Sequence, residues 1–96
     1  MEKEIEWTEK SFSNRVQIYD YWYKRLGSVE YPDRLDQSFI DSVNLLPQNP
    51  QLGYKVESGT ERVLIQDHYR IYYEVHRDRI SILRIWDSRQ NPDELK

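Results

Sequence analysis

The first half of the chain is patterned as one short strand followed by a long amphipathic helix. Polar and apolar residues alternate over positions 4–7, which is typical of a strand. Thr8 is a plausible N-cap for the helix that follows, and Gly27 is placed to end it. The helix carries one apolar stripe, widened at two further positions. The stripe comprises Phe12, Val16, Tyr19, Tyr23 and Leu26, and the widening residues are Ile18 and Trp22.

A second helix follows after a very short link. Ser28 can cap it, and Pro32 falls in its first turn, where a missing N–H costs little. Its apolar stripe comprises Leu35, Phe39, Val43 and Leu46. Two helices joined by so short a link are expected to lie antiparallel, as a hairpin. Residues 47–59 hold two prolines and two glycines and predict a connecting loop.

From residue 61 the apolar period changes to two, which predicts three strands in a meander. They cover 62–65, 68–75 and 80–86, with a tight reversal at Arg77 and Asp78. The predicted fold class is therefore α+β, in the order β-α-α-β-β-β. We expect an antiparallel sheet with the N-terminal helix hairpin packed on one face, and a single domain over residues 1–96.

Alternation also predicts which strand residues face the helices. The helix-facing set is Val63, Ile65, Ile71, Tyr73, Leu83 and Ile85. The set facing away is Arg62, Arg70, Tyr72, Arg84 and Trp86. Because a one-residue bulge would scramble this assignment, the alternative phase stays open.

Composition excludes several classes of site. The chain has no cysteine, so disulfides, thiolate metal sites and a thiol nucleophile are excluded. His68 and His76 lack a matching carboxylate pattern, so we expect no metal site and no cofactor. No apolar run approaches the roughly 18 residues of a membrane span, and the N-terminus does not resemble a signal peptide. We therefore expect a cytoplasmic protein that does not enter membranes.

Charge is unevenly distributed along the chain. The net charge of -3 argues against a general polyanion-binding protein, because such affinity comes from neutralising phosphates. Residues 61–89 nevertheless contain six arginines, whose planar guanidinium groups suit phosphate or carboxylate. The predicted outward face of the sheet thus could bind an anionic partner, including an acidic protein segment.

An ordered set of motifs extends along almost the whole chain. The segments are IEWT at 5–8, YDYW at 19–22, LLPQNPQLG at 45–53, RV at 62–63, YRIYYEV at 69–75 and IWDSRQNP at 85–92. Taken together, they resemble the RelE/ParE superfamily, the toxins of bacterial type II toxin–antitoxin pairs. The resemblance implies growth inhibition, a cognate antitoxin as partner, and a role in plasmid stabilisation. It further implies one of two targets: the ribosome with its mRNA, which RelE-like members cleave, or DNA gyrase, which ParE-like members inhibit.

For the mRNA-cleaving mode, the resemblance implies catalytic roles for Arg62 and Arg84, as cations at the scissile phosphate. Asp87 is the titratable group available where the family uses a late Tyr or His. The implied substrate-binding residues are Arg70, Tyr72, Trp86 and Arg89, with Trp86 able to stack on a base.

Two departures leave other modes open. No His or Tyr follows residue 76, and the chain is acidic overall, whereas ribosome-dependent nucleases are strongly basic. A gyrase inhibitor without chemistry and an inactive toxin-fold binding protein therefore remain as alternatives. Asp87 and Arg89 can also form a simple local salt bridge.

Overall fold

The computed structural model describes residues 3–57 and 59–89, in which one strand is followed by two helices and then by four strands. The helices are α1 (Glu9–Leu26) and α2 (Glu30–Val43). The strands are β1 (Glu4–Trp7), β2 (Tyr54–Lys55), β3 (Glu61–Gln66), β4 (Tyr69–Val75) and β5 (Arg79–Asp87). The predicted α+β class and the helix hairpin are confirmed.

The ends of α1 are fixed by the residues that the sequence singles out. The Thr8 hydroxyl accepts a hydrogen bond from the Ser11 amide at 3.2 Å and donates one to the Ile82 carbonyl at 2.7 Å. This cap therefore also attaches the start of α1 to β5. At the other end, Gly27 has φ 70° and its N–H donates to the Tyr23 carbonyl at 2.8 Å. Glycine adopts that left-handed conformation without the strain a side chain would bring.

The sheet has five strands in the order β1-β5-β4-β3-β2. Two details differ from the prediction of an antiparallel four-stranded sheet. First, β1 pairs in parallel with β5, so the sheet is mixed. Second, the predicted loop contains β2, whose two residues pair with Val63 and Arg62. Local alternation indicates that a strand exists but gives neither its partner nor its direction, and a two-residue strand is too short to alternate visibly.

The main core lies between α2 and the sheet. The predicted stripe of the second helix, Leu35, Phe39, Val43 and Leu46, is buried, although α2 ends at Val43 and Leu46 lies just beyond it. The sheet residues buried with them are Leu64, Tyr69, Ile71, Tyr73, Ile80, Ile82 and Ile85. This part of the sequence prediction is confirmed, because the apolar face of α2 and its buried face coincide.

The apolar stripe predicted for α1 is largely exposed. Phe12 is 55% exposed and Val16 is 52% exposed. Instead, α1 faces the sheet with the fully buried Ser11 and with the partly buried Ile18 and Trp22. Only the residues described as widening the stripe therefore pack on the core. A small side chain at Ser11 fits this close contact between the start of the helix and the rest of the fold.

The predicted phase of β3 is wrong by one residue. Leu64, not Ile65, is in the core, and Ile65 is 57% exposed. Cross-strand partners share a face, so the pair Arg62–Tyr73 lies on the helix side. Val63 is buried on the other face, where its strand partners are Tyr54 and Tyr72.

The open question of a bulge is answered in β5. Tyr72 pairs with Arg84, but the next residue, Tyr73, pairs with Ile82, so Leu83 is the extra residue. Ile82 is therefore fully buried on the helix side, where the prediction placed Leu83 instead. Beyond the bulge the predicted phase is correct, with Ile85 buried and opposite Ile71.

Neither α1 nor α2, the helices of the described residues, combines the length and the hydropathy needed to cross a membrane.

Candidate functional site

Four of the predicted site residues share the sheet face opposite the helices. Tyr72 and Arg84 are direct cross-strand partners, and Arg70 lies on the same face, paired with Trp86. The Arg84 guanidinium stacks on the Tyr72 ring, 4.0 Å from its centroid. Its Nη2 also lies 2.9 Å from Glu61 Oε1, in a half-buried ion pair. The charge of Arg84 is thus already balanced by Glu61 within the protein.

Arg62 lies on the other side of the sheet, in a polar cluster that we call the Tyr73 corner and define by Gly53, Arg62 and Tyr73. Arg62 Nη1 donates to the Gly53 carbonyl at 2.7 Å. The Tyr73 hydroxyl accepts from the Gly53 amide and donates to the Pro50 carbonyl, both at 2.9 Å. Burial raises the pKa of Tyr73. The predicted catalytic pair, Arg62 and Arg84, is therefore split between opposite faces.

Asp87 and Arg89 form the local salt bridge that the sequence left as an alternative. Asp87 Oδ2 accepts from Arg89 Nη2 at 3.0 Å, and Oδ1 accepts from Nε at 3.1 Å and from the Arg89 amide at 2.9 Å. Burial pushes the pKa of Asp87 upward, but these bonds and the Arg89 charge outweigh it, so the pKa lies below its ordinary value. Asp87 is consequently an ionised acceptor at neutral pH.

A cleft of about 640 Å³ separates the second half of α1 from the end of β5. Trp86, Asp87 and Arg89 line it together with Trp22 and Arg25. Its floor is fixed by two hydrogen bonds. Trp22 Nε1 donates to the Tyr69 hydroxyl at 2.8 Å, and the Ile85 amide donates to Asn14 Oδ1 at 2.9 Å. The predicted site residues thus lie in three places: the outer face, this cleft, and the Tyr73 corner.

A fourth surface contains none of the predicted catalytic or substrate-binding residues. Phe12, Arg15, Val16, Tyr19, Asp20, Tyr23 and Asp36 line a groove of about 380 Å³ on the outside of the helix hairpin, which we call the hairpin groove. The apolar positions 12, 16, 19, 23 and 26 are spaced four, three, four and three residues apart. That spacing is the repeat by which one helix packs along another, and it was visible in the sequence.

One ion pair fixes the shape of the hairpin groove. Arg15 binds Asp36 through two hydrogen bonds, of 2.9 and 2.8 Å. The Arg15 guanidinium also lies 4.5 Å from the centroid of Trp7. This contact joins α1, α2 and β1, so the groove is held by the fold rather than by the apolar residues that line it.

Within residues 3–57 and 59–89, no three His, Asp or Glu side chains lie close enough together to bind a metal ion. The end of the IWDSRQNP motif, from residue 90, lies outside the described residues.

Comparisons with known proteins agree on one family. Residues 5–92 match the model described as "ParE toxin of type II toxin-antitoxin system, parDE". A solved structure, "Chromosomal ParDE TA system from P. aeruginosa", is 25% identical in sequence and superposes with a TM-score of 0.77. The match covers 86% of this chain and 92% of that chain. Among curated proteins, no match was found.

Proposed function

The chain belongs to the ParE toxin family of type II toxin–antitoxin systems, and from this premise we propose that it inhibits growth by binding DNA gyrase without chemistry of its own. An antitoxin neutralises it by covering the helix hairpin. The observation that carries the choice of a binding mode is the position of Arg62. It lies across the sheet from Arg84 and is engaged by the Gly53 carbonyl.

Cleavage of mRNA through its 2′-hydroxyl requires cations that converge on one phosphate, together with a base and an acid. Arg62 and Arg84 do not converge, and Arg84 is already paired with Glu61. Asp87 is a poor proton donor, because its lowered pKa keeps it ionised at neutral pH. These features favour inhibition by binding over the nuclease mode and leave the arginines structural roles.

The antitoxin is expected at the hairpin groove. Half-exposed apolar side chains at helical spacing are unusual on a free protein surface and typical of a site for a partner helix. Asp20 and Asp36 line the groove but are already paired with Lys24 and Arg15, so we expect apolar contact rather than charge to select the partner helix. Tyr19, which lines the groove, is held by a hydrogen bond that it donates to Asp33.

Two assays on the purified chain separate the targets. In the first, DNA gyrase supercoils a relaxed plasmid; we expect the chain to stop this reaction and the antitoxin to restore it. In the second, the chain is added to translating ribosomes, and the mRNA is expected to stay intact. Cut mRNA with undisturbed supercoiling would overturn the proposal.

The variants R62A and R84A further distinguish the nuclease mode from the gyrase-binding mode. A nuclease that used either arginine at the phosphate would lose on the order of 100-fold in activity with each substitution. For a gyrase-binding toxin we expect R62A to keep its inhibitory potency per folded molecule. Cleavage of mRNA by the wild-type chain that falls about 100-fold in folded R62A protein would contradict the binding mode.

A further inference from the structure

The cleft between α1 and the end of β5 holds residues that the proposed function leaves without a role. Its volume of about 640 Å³ falls in the range of about 300 to 1,000 Å³ that is typical of sites for small molecules. Trp86 and Arg89, two of the residues predicted to bind substrate, line it. The cleft lies along a different face of α1 from the hairpin groove, because the two share no lining residue. It is therefore a separate candidate for a ligand.

The main chain beside the cleft is already closed. β1 pairs with β5 only as far as Ile82, so the later part of β5 has no strand neighbour on that side in the described part of the chain. Thr8 Oγ1 instead lies 3.1 Å from the Leu83 carbonyl oxygen. Asn14 Oδ1 accepts from the Ile85 amide at 2.9 Å. A partner strand would have to displace these contacts, so the cleft favours a ligand that is bound by side chains.

The middle of the cleft is aromatic. Tyr21, Trp22, Tyr69 and Trp86 line it. Trp22 is held in place by the hydrogen bond from its Nε1 to the Tyr69 hydroxyl and by an edge contact with the Tyr21 ring, 5.1 Å between centroids. Trp86 is partly exposed. Aromatic side chains bind the flat face of a nucleobase by stacking, and they do so for every base. These walls therefore suit a flat aromatic ligand.

The two ends of the cleft differ in polarity. At one end, Asn14 of α1 is bonded to Ile85 of β5. At the other end, the Arg89 guanidinium lies 5.8 Å from the centroid of the Trp22 ring. Arg25, three residues beyond Trp22 on α1, lines the cleft as well. Asn14 and Arg25 are eleven residues apart, which is about 16 Å along the helix axis. Both cations thus lie at the end far from the Asn14 amide.

Three polar groups in the cleft have no partner among residues 3–57 and 59–89. They are the Gln17 amide, the Arg25 guanidinium and Arg89 Nη1, since Asp87 engages only Nε and Nη2 of Arg89. An amide can donate and accept at the edge of a base, and a guanidinium suits a phosphate. The charged residues of the lining sum to +1, whereas the whole chain carries -3. The cleft therefore favours an anion in a chain that is otherwise acidic.

We propose that the cleft binds a free nucleotide. The base stacks in the aromatic middle with its edge at Gln17, and the phosphate contacts Arg25 and Arg89 Nη1. A nucleic-acid strand fits less well, because the chain is acidic and the cleft offers cations at one end only. This inference goes beyond the proposed function and does not depend on it, so its failure would leave the gyrase proposal in place.

Calorimetric titration of the purified full chain tests the ligand class. The probes are the common ribonucleoside 5′-monophosphates, with adenosine and inorganic phosphate as controls that each lack one half of the ligand. We expect at least one monophosphate to bind about tenfold or more tightly than either control. If no monophosphate binds at millimolar concentration, or if inorganic phosphate binds equally well, the inference is overturned. A single-stranded oligonucleotide that binds more tightly than every monophosphate would also overturn it, because the occupant would then be a strand.

Variants test the location. R25A and W86A should each weaken binding of the monophosphate by about tenfold or more, because each removes one of the two kinds of contact. The matched control is R34A, which removes an exposed arginine of α2 that does not line the cleft and should leave the affinity unchanged. Melting temperatures show whether each variant is folded. Folded R25A and W86A chains that bind as the wild type does would place the nucleotide elsewhere and overturn the inference.

Discussion

In the Tyr73 corner and in the hairpin groove, burial is the opposite of what the residue types suggest. Tyr73 is fully buried and Arg62 partly buried although both are polar, and both are bonded to the loop that carries Gly53. Phe12 and Val16 are apolar, yet they face outward. Residue type alone therefore does not separate structural from recognition roles in this fold. The face of the helix or strand on which a residue lies decides its role. Variants in the Tyr73 corner should therefore change stability, and variants in the hairpin groove should change binding.

The largest expected effect is on stability at the Tyr73 corner. A Cβ at position 53 would lie 2.6 Å from the Val63 carbonyl oxygen and 2.8 Å from the Tyr73 hydroxyl. G53A must therefore displace backbone as well as a ring, and we expect it to lower the free energy of unfolding by about 2 to 3 kcal/mol. Urea denaturation measures this loss. The neighbouring Leu52 is exposed, so L52A should lower the free energy of unfolding by less than about 1 kcal/mol. Equal losses in G53A and L52A would show that the close packing around Gly53 does not stabilise the fold.

Y73F examines the same corner without a change of volume. Removing the hydroxyl leaves the buried Gly53 amide without its acceptor, at an expected cost of about 2 kcal/mol in the free energy of unfolding. Y72F removes a hydroxyl from the outer face and is expected to stay within about 0.5 kcal/mol of wild type. The measurement is again chemical denaturation. If both variants unfold alike, the Tyr73 hydroxyl does not hold the loop.

Much of this arrangement was predictable. For α2, helical period and burial coincide, and Thr8 and Gly27 cap α1 as local chemistry predicts. For α1, the predicted stripe is mostly exposed, and only Ile18 and Trp22, which widen it, pack on the core. Most apolar residues of α1 lie on its exposed face, so hydrophobicity alone selects the wrong face.

The β3 error has a different cause. Val63, Leu64 and Ile65 are consecutive apolar residues, so alternation gives no phase. The two-residue turn after Gln66 sets the register instead. Because a slip of one residue exchanges the faces, Arg62 was predicted to be beside Arg84 and is found across the sheet. The candidate site depended on that phase, whereas the fold class did not.

In the hairpin groove the expected effect is on binding rather than on folding. Tyr23 lines the hairpin groove and is 46% exposed, so Y23A should change the free energy of unfolding by less than about 0.5 kcal/mol. We expect it to weaken antitoxin affinity about tenfold, or roughly 1.4 kcal/mol. Isothermal titration calorimetry measures the affinity, with K10A on a different face of α1 as control. A Y23A chain that is destabilised but binds normally would place Tyr23 with the structural residues.

The smallest expected effect belongs to Asp87, which lies in neither region. Its pKa is lowered in the folded chain, so its ionised form favours folding. That contribution is complete above the pKa of the unfolded chain and disappears as the pH falls through the lower pKa of the folded one. Since Arg89 is exposed, the salt bridge should stabilise by only about 0.5 kcal/mol. D87N should therefore be slightly less stable than wild type at pH 7, and this difference should shrink below about pH 4.

Gyrase inhibition by D87N should equal that of wild type, because Asp87 has no direct role in the proposed binding. Its pH dependence should also be the same from pH 6 to 8, because Asp87 stays ionised over that range. Unfolding curves at several pH values and the supercoiling assay measure the two quantities separately. A large loss of inhibition in folded D87N would instead give Asp87 a direct role. It would also show that the cleft beside α1 contacts the target.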